Sequence, residues 1–290
     1  QKRWRAEAMR YAGKLEDARR EAEDARRIFQ AADDLENAAH CLRLLGHIAS
    51  DLAAPAHGRR LVARALAMFA ELGSEHGRAL CEVLLGEIDY LLGDHASARA
   101  ELGNGAQRFA TVGDRLGRAQ CLLLQSWVEQ AGGGTALAIE LARTARGEFD
   151  AIGYRLGLAQ ADITLAHAEH RAGRLASART IALAALSAFR DVGNPRGEAA
   201  CERLLAMTAL DAGDPALADA HAHAAAVAFD KLSDPWGQVE TKLIVAQIAL
   251  DRGQAEAARG ELIACEAVAL VEAEPKQHRH LTMAWLAYHE

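Results

Sequence analysis

Apolar residues in this chain recur at helical spacing, and the helical stretches themselves recur every forty residues. Between Glu75 and Leu92 the stripe Leu84, Leu85, Ile88, Leu91 and Leu92 predicts one helix, closed by Gly93. A second helix is predicted from near His95 past Phe109, carrying Ala98, Leu102, Gly105 and Ala106, and closed by Gly113. Steps of forty residues reproduce this pair along the chain. All six phenylalanines fall on one comb: Phe29, Phe69, Phe109, Phe149, Phe189 and Phe229. Eight residues after each stands Gly77, Gly117, Gly157, Gly197 or Gly237, with Asn37 as the exception. A second comb of Gly93, Gly133, Gly173, Gly213 and Gly253 is broken by Ala53. Unbroken periodicity of this length is the mark of a solenoid or array.

The helix boundaries carry their own signals. Asp34, Ser74, Asp114, Asn194 and Asp234 are suited to cap the first helix of a pair, helix A. Pro195, Pro235 and Pro275 follow at its first position, where a missing N–H costs nothing, and Pro55 and Pro215 open the second helix, helix B. The predicted fold is an all-α solenoid of antiparallel helix pairs occupying 1–290 as a single array. A partial unit, 1–31, precedes full units at about 35–71, 75–111, 115–151, 155–191, 195–231 and 235–271, and a terminal helix is predicted at 275–290. Terminal units of a solenoid normally turn a polar face outward. Leu281, Met283, Trp285, Leu286 and Tyr288 keep the last helix apolar, so the chain is expected to be a fragment or to self-associate there.

Composition narrows the partners. Only 5% of residues are aromatic against 51% hydrophobic, so the core must be built from Ala and Leu in closely approaching helices. A net charge of −7 disfavours direct nucleic-acid binding, which draws on a basic face. No apolar run approaches the ~20 residues that span a bilayer, so no membrane association is expected. Four of the five cysteines, Cys41, Cys81, Cys121 and Cys201, share one repeat position, where Ala161 and Thr241 stand in other repeats. Equivalent residues on packed helices lie ~8–10 Å apart, beyond disulfide reach, which points to buried thiols and a cytoplasmic protein. The excess of Arg over Lys and the abundance of Ala hint at a bacterial source.

The spacing Leu85-Gly86, Gly93, Ala98, Leu102, Gly105 resembles the tetratricopeptide repeat, with its large–small pair in helix A, its Gly turn, and its small and large residues in helix B. Leu45-Gly46, Leu165-Ala166, Leu205-Ala206 and Val245-Ala246 repeat the pair, and Ala138, Ala178, Ala218 and Ala258 the small residue. The forty-residue unit is similar to the longer variety in Pins-like scaffolds and in the sensor arms of bacterial ATPase-coupled regulators. The resemblance implies a right-handed solenoid. The glycine in the first turn of helix A costs ~1 kcal/mol in helix propensity, so a side chain there is expected to hold neighbouring helices apart. The phenylalanine is read as a core plug. Repeat three departs from the pattern: Gln125 and Ser126 replace the large–small pair, and Gly132-Gly133-Gly134 is expected to loosen its turn into a hinge.

Sequence features of catalysis are missing. No phosphate-cradling GxxxxGK[ST] loop and no HExxH helix is present. His167 and His170 share a helical face but have no third ligand near in sequence, while His221/His223 and His278/His280 diverge; no metal, cofactor or enzyme activity is expected. Carboxylates are read mainly as solvated, as on the charged face of Glu16, Asp17, Arg19, Arg20, Glu23 and Asp24. The resemblance implies a concave groove lined by helix A, filled by a protein or peptide segment. It places there His40, Arg43 and His47; Glu87 and Tyr90; Gln120, Trp127 and Gln130; Gln160, His167 and His170; Arg203 and Met207; and Gln247. Within each repeat, spacings of three and four keep these on one helix face. The face changes from repeat to repeat while the packing positions stay nearly constant. Trp127 is the expected anchor, and His40, Arg43 and His47 a basic corner for a partner carboxylate. The family's Lys/Asn carboxylate clamp is not matched, so chaperone-tail binding is not implied. The expected role is a recognition arm of a larger bacterial regulator, with a self-associating adaptor and a sensor flexing at repeat three as alternatives.

Overall fold

The computed structural model describes residues 2–272. The terminal helix expected at 275–290, with His278 and His280, lies outside these residues. Fourteen α-helices and no strand occur among the described residues, and within each of two compact units every helix packs on the next. They are distributed over two compact units that divide after Gly153.

The first unit contains α1 (Lys2–Tyr11), α2 (Leu15–Ala31), α3 (Leu35–Asp51), α4 (Pro55–Glu71), α5 (Glu75–Leu91), α6 (His95–Val112), α7 (Arg115–Ala131) and α8 (Thr135–Ala151). The second contains α9 (Arg155–Arg171), α10 (Leu175–Val192), α11 (Pro195–Asp211), α12 (Pro215–Leu232), α13 (Pro235–Asp251) and α14 (Ala255–Glu272). Odd-numbered helices are helix A of a pair and even-numbered ones helix B. The predicted capping residues do the work expected of them. Asp34, Ser74, Asp114, Asn194 and Asp234 each accept the backbone N–H three residues on. Asp94 and Asp214 cap helix B in the same way.

Every twenty residues the chain turns through a left-handed residue, from Gly13 to Gly253. In the turn after α5, Gly93 has φ +77° and the Asp94 N–H returns to the Asp89 carbonyl at 2.8 Å, a Schellman closure. Three turns lack glycine: Asp33, Ala53 and Ser233 hold φ of 55°, 64° and 50°. Ala53 is the residue that breaks the second glycine comb, and the turn forms around it despite the steric cost. The turn of repeat three closes as the others do, with Gly133 at φ +83° and Gly134 N–H on the Glu129 carbonyl at 2.8 Å. Its Ser126 is buried and donates to the Ala138 carbonyl at 2.8 Å, tying α7 to α8. The expected loosening at this turn is therefore not visible in its geometry: a buried hydroxyl replaces the small apolar residue and adds a bond between the helices.

Glycines in the first turn of helix A are explained by the phenylalanines. A Cβ at Gly77 would come within 2.3 Å of the Phe69 ring, at Gly117 within 2.6 Å of Phe109, at Gly197 within 2.3 Å of Phe189, and at Gly237 within 2.0 Å of Phe229. What a side chain would displace is thus the ring at the end of the preceding helix B. Phe69, Phe109, Phe189 and Phe229 are all buried. Phe29, eight residues before Asn37 and not before a glycine, is only half-buried. The cysteine position also packs tightly. Cys41, Cys81, Cys121, Ala161, Cys201 and Thr241 are all fully buried, and the five cysteines are free thiols. Ala98, Ala138, Ala178, Ala218 and Ala258 line the helix A–helix B contact with almost no exposure.

Two substitutions test these constraints. Gly77→Ala should lower stability by about 1–3 kcal/mol in urea denaturation, because overpacking against Phe69 outweighs the gain in helix propensity. Ala53→Gly should raise it by about 1 kcal/mol, since glycine adopts the left-handed turn without the Cβ penalty. A Gly77→Ala chain as stable as the parent would show that the ring is not seated on the glycine.

Candidate functional site

The helix-A positions singled out in the sequence do form part-exposed faces, and the structure divides them by burial and pairing. In the first unit, Arg43 is half-buried, with its Nε shut off from solvent and from any hydrogen-bond partner. His47 receives Arg10 of α1 at 2.9 Å between Nη2 and Nε2, and the same guanidinium donates from Nε to Asp51 at 2.9 Å. Sequence reasoning missed Arg10 because the helix-A rule was applied only to full units. Arg10 stands forty residues before Ser50 and eighty before Tyr90, so the same comb would have found it.

The expected basic corner is corrected by this geometry. Burial first, and then the neighbouring Arg3, Arg43 and His76, push His40 down to about 4. Burial, Arg10 and Arg43 push His47 down to about 3. Both imidazoles are therefore neutral at pH 7, because a second charge beside an arginine in a poorly solvated site is unfavourable. His40 instead packs edge-on against Phe69, with ring centroids 4.8 Å apart. The positive charge of this corner belongs to Arg43 and Arg10.

Glu87 faces this cluster from α5. Burial pushes its carboxyl up to about 7, against the pull of Arg10 and Arg43 and with the push of Asp51. Tyr90 is partly exposed, and its ring lies 5.6 Å from that of His95. On α7, Gln120 is exposed, Gln130 donates to Ser126 at 3.4 Å, and Trp127 is 44% exposed. A tryptophan so exposed on a helix face offers a large apolar surface at small entropic cost.

The second unit's face combines ion pairs with buried, unbonded nitrogens of its own. Burial, with Arg203, His170 and Arg171 nearby, pushes His167 down to about 3. His170 lies 2.9 Å from Asp211, within ion-pair distance but without hydrogen-bonding alignment. Arg203 pairs with Glu240 at 2.6 Å, though its Nε remains buried and unbonded. Met207 packs against the apolar cluster around Ile244 and Ile248, and Gln247 donates to Asp251 at 2.9 Å. Gln160 is exposed. Among the described residues no group of three His, Cys, Asp or Glu side chains is placed to hold a metal ion.

The reading of the carboxylates as mainly solvated holds on the α2 face and has buried exceptions. Glu16, Asp17, Glu23 and Asp24 pair with Arg19, Arg20 and Arg27 at the surface of α2. Glu82, Asp89, Glu129, Asp162 and Glu169 are buried. Arg108 grips Glu82 through Nε at 2.8 and 2.9 Å, and Arg174 holds Glu169. These acids lie on helix surfaces that look polar in sequence, and only the approach of the neighbouring helix removes them from water. Burial likewise pushes the thiols of Cys81, Cys121 and Cys201 up to about 12, leaving them protonated and unreactive.

No family model and no curated protein matches the chain. Solved structures do, and they show a tetratricopeptide-like fold. The apo form of RapI is 11% identical, with a TM-score of 0.74 over 92% of this chain and 96% of that one. A Rap protein complexed with competence and sporulation factor is 14% identical, with a TM-score of 0.68 over 93% and 75%. A signal-transduction ATPase with a tetratricopeptide repeat sensor from Pyrococcus horikoshii is 12% identical, with a TM-score of 0.72; the match covers 93% of this chain and 42% of that one. No helix among the described residues is long and apolar enough to cross a membrane.

The elevated Glu87 carboxyl has a measurable consequence. In the unfolded chain it titrates near the ordinary value of 4.5, and in the fold near 7. Between these pH values the folded state holds the extra proton, so this group's contribution to stability falls as pH rises. His40, His47 and His167 act in the opposite sense, with stability lost as pH falls below their ordinary 6.5. Glu87→Gln should therefore stabilise the chain at pH 8 by about 1–3 kcal/mol, with the difference from the parent shrinking toward pH 4.5. Urea denaturation at pH 5 and 8 reads this directly, and a gap independent of pH would contradict the assignment.

Proposed function

We propose that this chain is a non-catalytic module that binds a protein or peptide segment on the face lined by helix A. The single observation that carries the reading is the state of that face in the first unit. Arg43 has a buried, unbonded guanidinium nitrogen beside the uncharged-leaning Glu87, and Trp127 presents nearly half its surface to solvent on the same helix-A register. Packing positions repeat every forty residues, whereas these do not, as suits a surface that meets a non-periodic ligand. A desolvated arginine nitrogen without a partner costs free energy that an incoming acceptor would recover.

The wider role we infer is that of a recognition or sensor arm in a larger bacterial regulatory protein. It draws support from likeness to a Rap protein solved with competence and sporulation factor and to an ATPase carrying a repeat sensor. Both similarities concern fold, and the partner is set by the residues on the face.

Peptides selected by display on the parent chain, then titrated by calorimetry, provide the test. Trp127→Ala and Arg43→Glu should each weaken binding about tenfold or more, the range of an interface hot spot, with helix content and Tm preserved. Unchanged affinity for both variants would remove the helix-A face from recognition.

A further inference from the structure

Repeats two and three contain an internal carboxylate bridge. Arg59 on α4 donates from Nε and Nη2 to Asp89 near the end of α5, at 2.6 and 3.3 Å. Forty residues later, Arg99 on α6 makes the same reach to Glu129 on α7. Both acids are taken almost wholly out of water, with side chains 2% and 8% exposed. The forty-residue comb puts arginine at the same place three times more, as Arg19, Arg179 and Arg259. The acid positions that answer Arg19 and Arg179 hold Ala49 and Ala209, and the one that answers Arg259 lies outside the described residues.

A cavity stands beside each of Ala49 and Ala209. One, of about 310 Å³, is lined by Arg19 and Ala49; the other, of about 470 Å³, by Arg179 and Ala209. The two differ in their arginines. Arg19 is engaged by Glu16 and Glu23 at 2.9 and 3.0 Å. Arg179 makes no ion pair or hydrogen bond among the described residues. Of the other polar groups of its cavity, Thr208 Oγ1 donates to the Leu204 carbonyl at 2.7 Å, and one oxygen of Asp214 accepts the Leu217 N–H at 3.0 Å. Leu175, Ala209 and Leu217 supply an apolar wall.

We propose that the cavity between α10, α11 and the start of α12 binds a short-chain aliphatic carboxylate. Arg179 takes the headgroup as Arg59 takes Asp89, and the wall formed by Leu175, Ala209 and Leu217 takes the chain. The volume lies in the range of small-ligand sites, and a guanidinium matches a carboxylate in geometry as well as charge. The cavity shares no residue with the helix-A face, so this inference stands or falls apart from partner binding.

The probe is hexanoate, with hexanol as the uncharged counterpart, followed by amide chemical shifts in nuclear magnetic resonance. Hexanoate should give saturable shifts centred on Thr208, Ala209 and Ala212, and hexanol should not. Arg179→Ala, a change at an exposed side chain, should weaken hexanoate at least tenfold, and Arg179→Lys should retain part of the affinity. Ala209→Glu should supply the internal carboxylate, abolish hexanoate binding and raise Tm. Shifts that do not saturate, that hexanol reproduces, or that survive Arg179→Ala would overturn the proposal. So would saturation by an acetyl-Leu-Glu-Leu-amide peptide with none by hexanoate, which would reassign the cavity to a partner's side chain.

Discussion

The structure rests on a ring seated where a side chain is missing. Phe69, Phe109, Phe189 and Phe229, each buried at the end of a helix B, lie over the first turn of the following helix A, and the space each fills is the Cβ space of a glycine. Glycine weakens a helix by ~1 kcal/mol, but burying a phenylalanine returns several times that through the apolar area removed from water. The seat also sets how one pair meets the next, because the ring can be accommodated only if helix A starts directly beneath it. Residues 29 and 37 show the reverse case. Asn37 donates from its side chain to Asp34, the residue that caps α3, at 2.8 Å, and the ring of Phe29 is left half-buried.

A second layer of constraint is ionic and varies along the chain. Alanine and leucine cores leave little width between helices, so long arginine side chains reach across to acids that the packing has desolvated. Arg59–Asp89, Arg99–Glu129 and Arg108–Glu82 are partnered and part-buried, which makes them costly to break from one side and of modest net worth as pairs. Their value to the fold lies in the specific meeting of one helix with the next. At Ala49 and Ala209, where alanine replaces the acid, the same scaffold leaves an arginine and a space.

The helix-A face shows how burial decides chemistry. Three histidines placed there would be read from sequence as positive or as metal ligands, yet burial and neighbouring arginines keep His40, His47 and His167 neutral. Glu87 is drawn the other way, toward the protonated acid, because its burial outweighs two nearby arginines. The result is a face with less charge at neutral pH than its residues suggest, anchored by Arg43 in one unit and by the Arg203–Glu240 pair in the other.

Most of the fold was legible in the sequence because periodic packing forces periodic residues. The helices begin at the acidic, serine and proline caps, the turns fall on the glycine combs, and the cysteine, alanine and all but the first of the phenylalanine positions are buried as their spacing requires. The candidate face was legible only as a set of positions. Which of its residues are charged, paired or open depends on side chains arriving from other helices, as Arg10 reaches His47 across thirty-seven residues of chain. The buried acids were hidden for the same reason: Asp89 and Glu129 look solvated on their own helices, and only the neighbouring helix takes them from water and supplies the arginine. The sequence by itself determined the repeat, its helices and its core. The tertiary structure decided protonation, pairing and the two arginine-lined cavities, because each depends on distances between residues that no local pattern encodes.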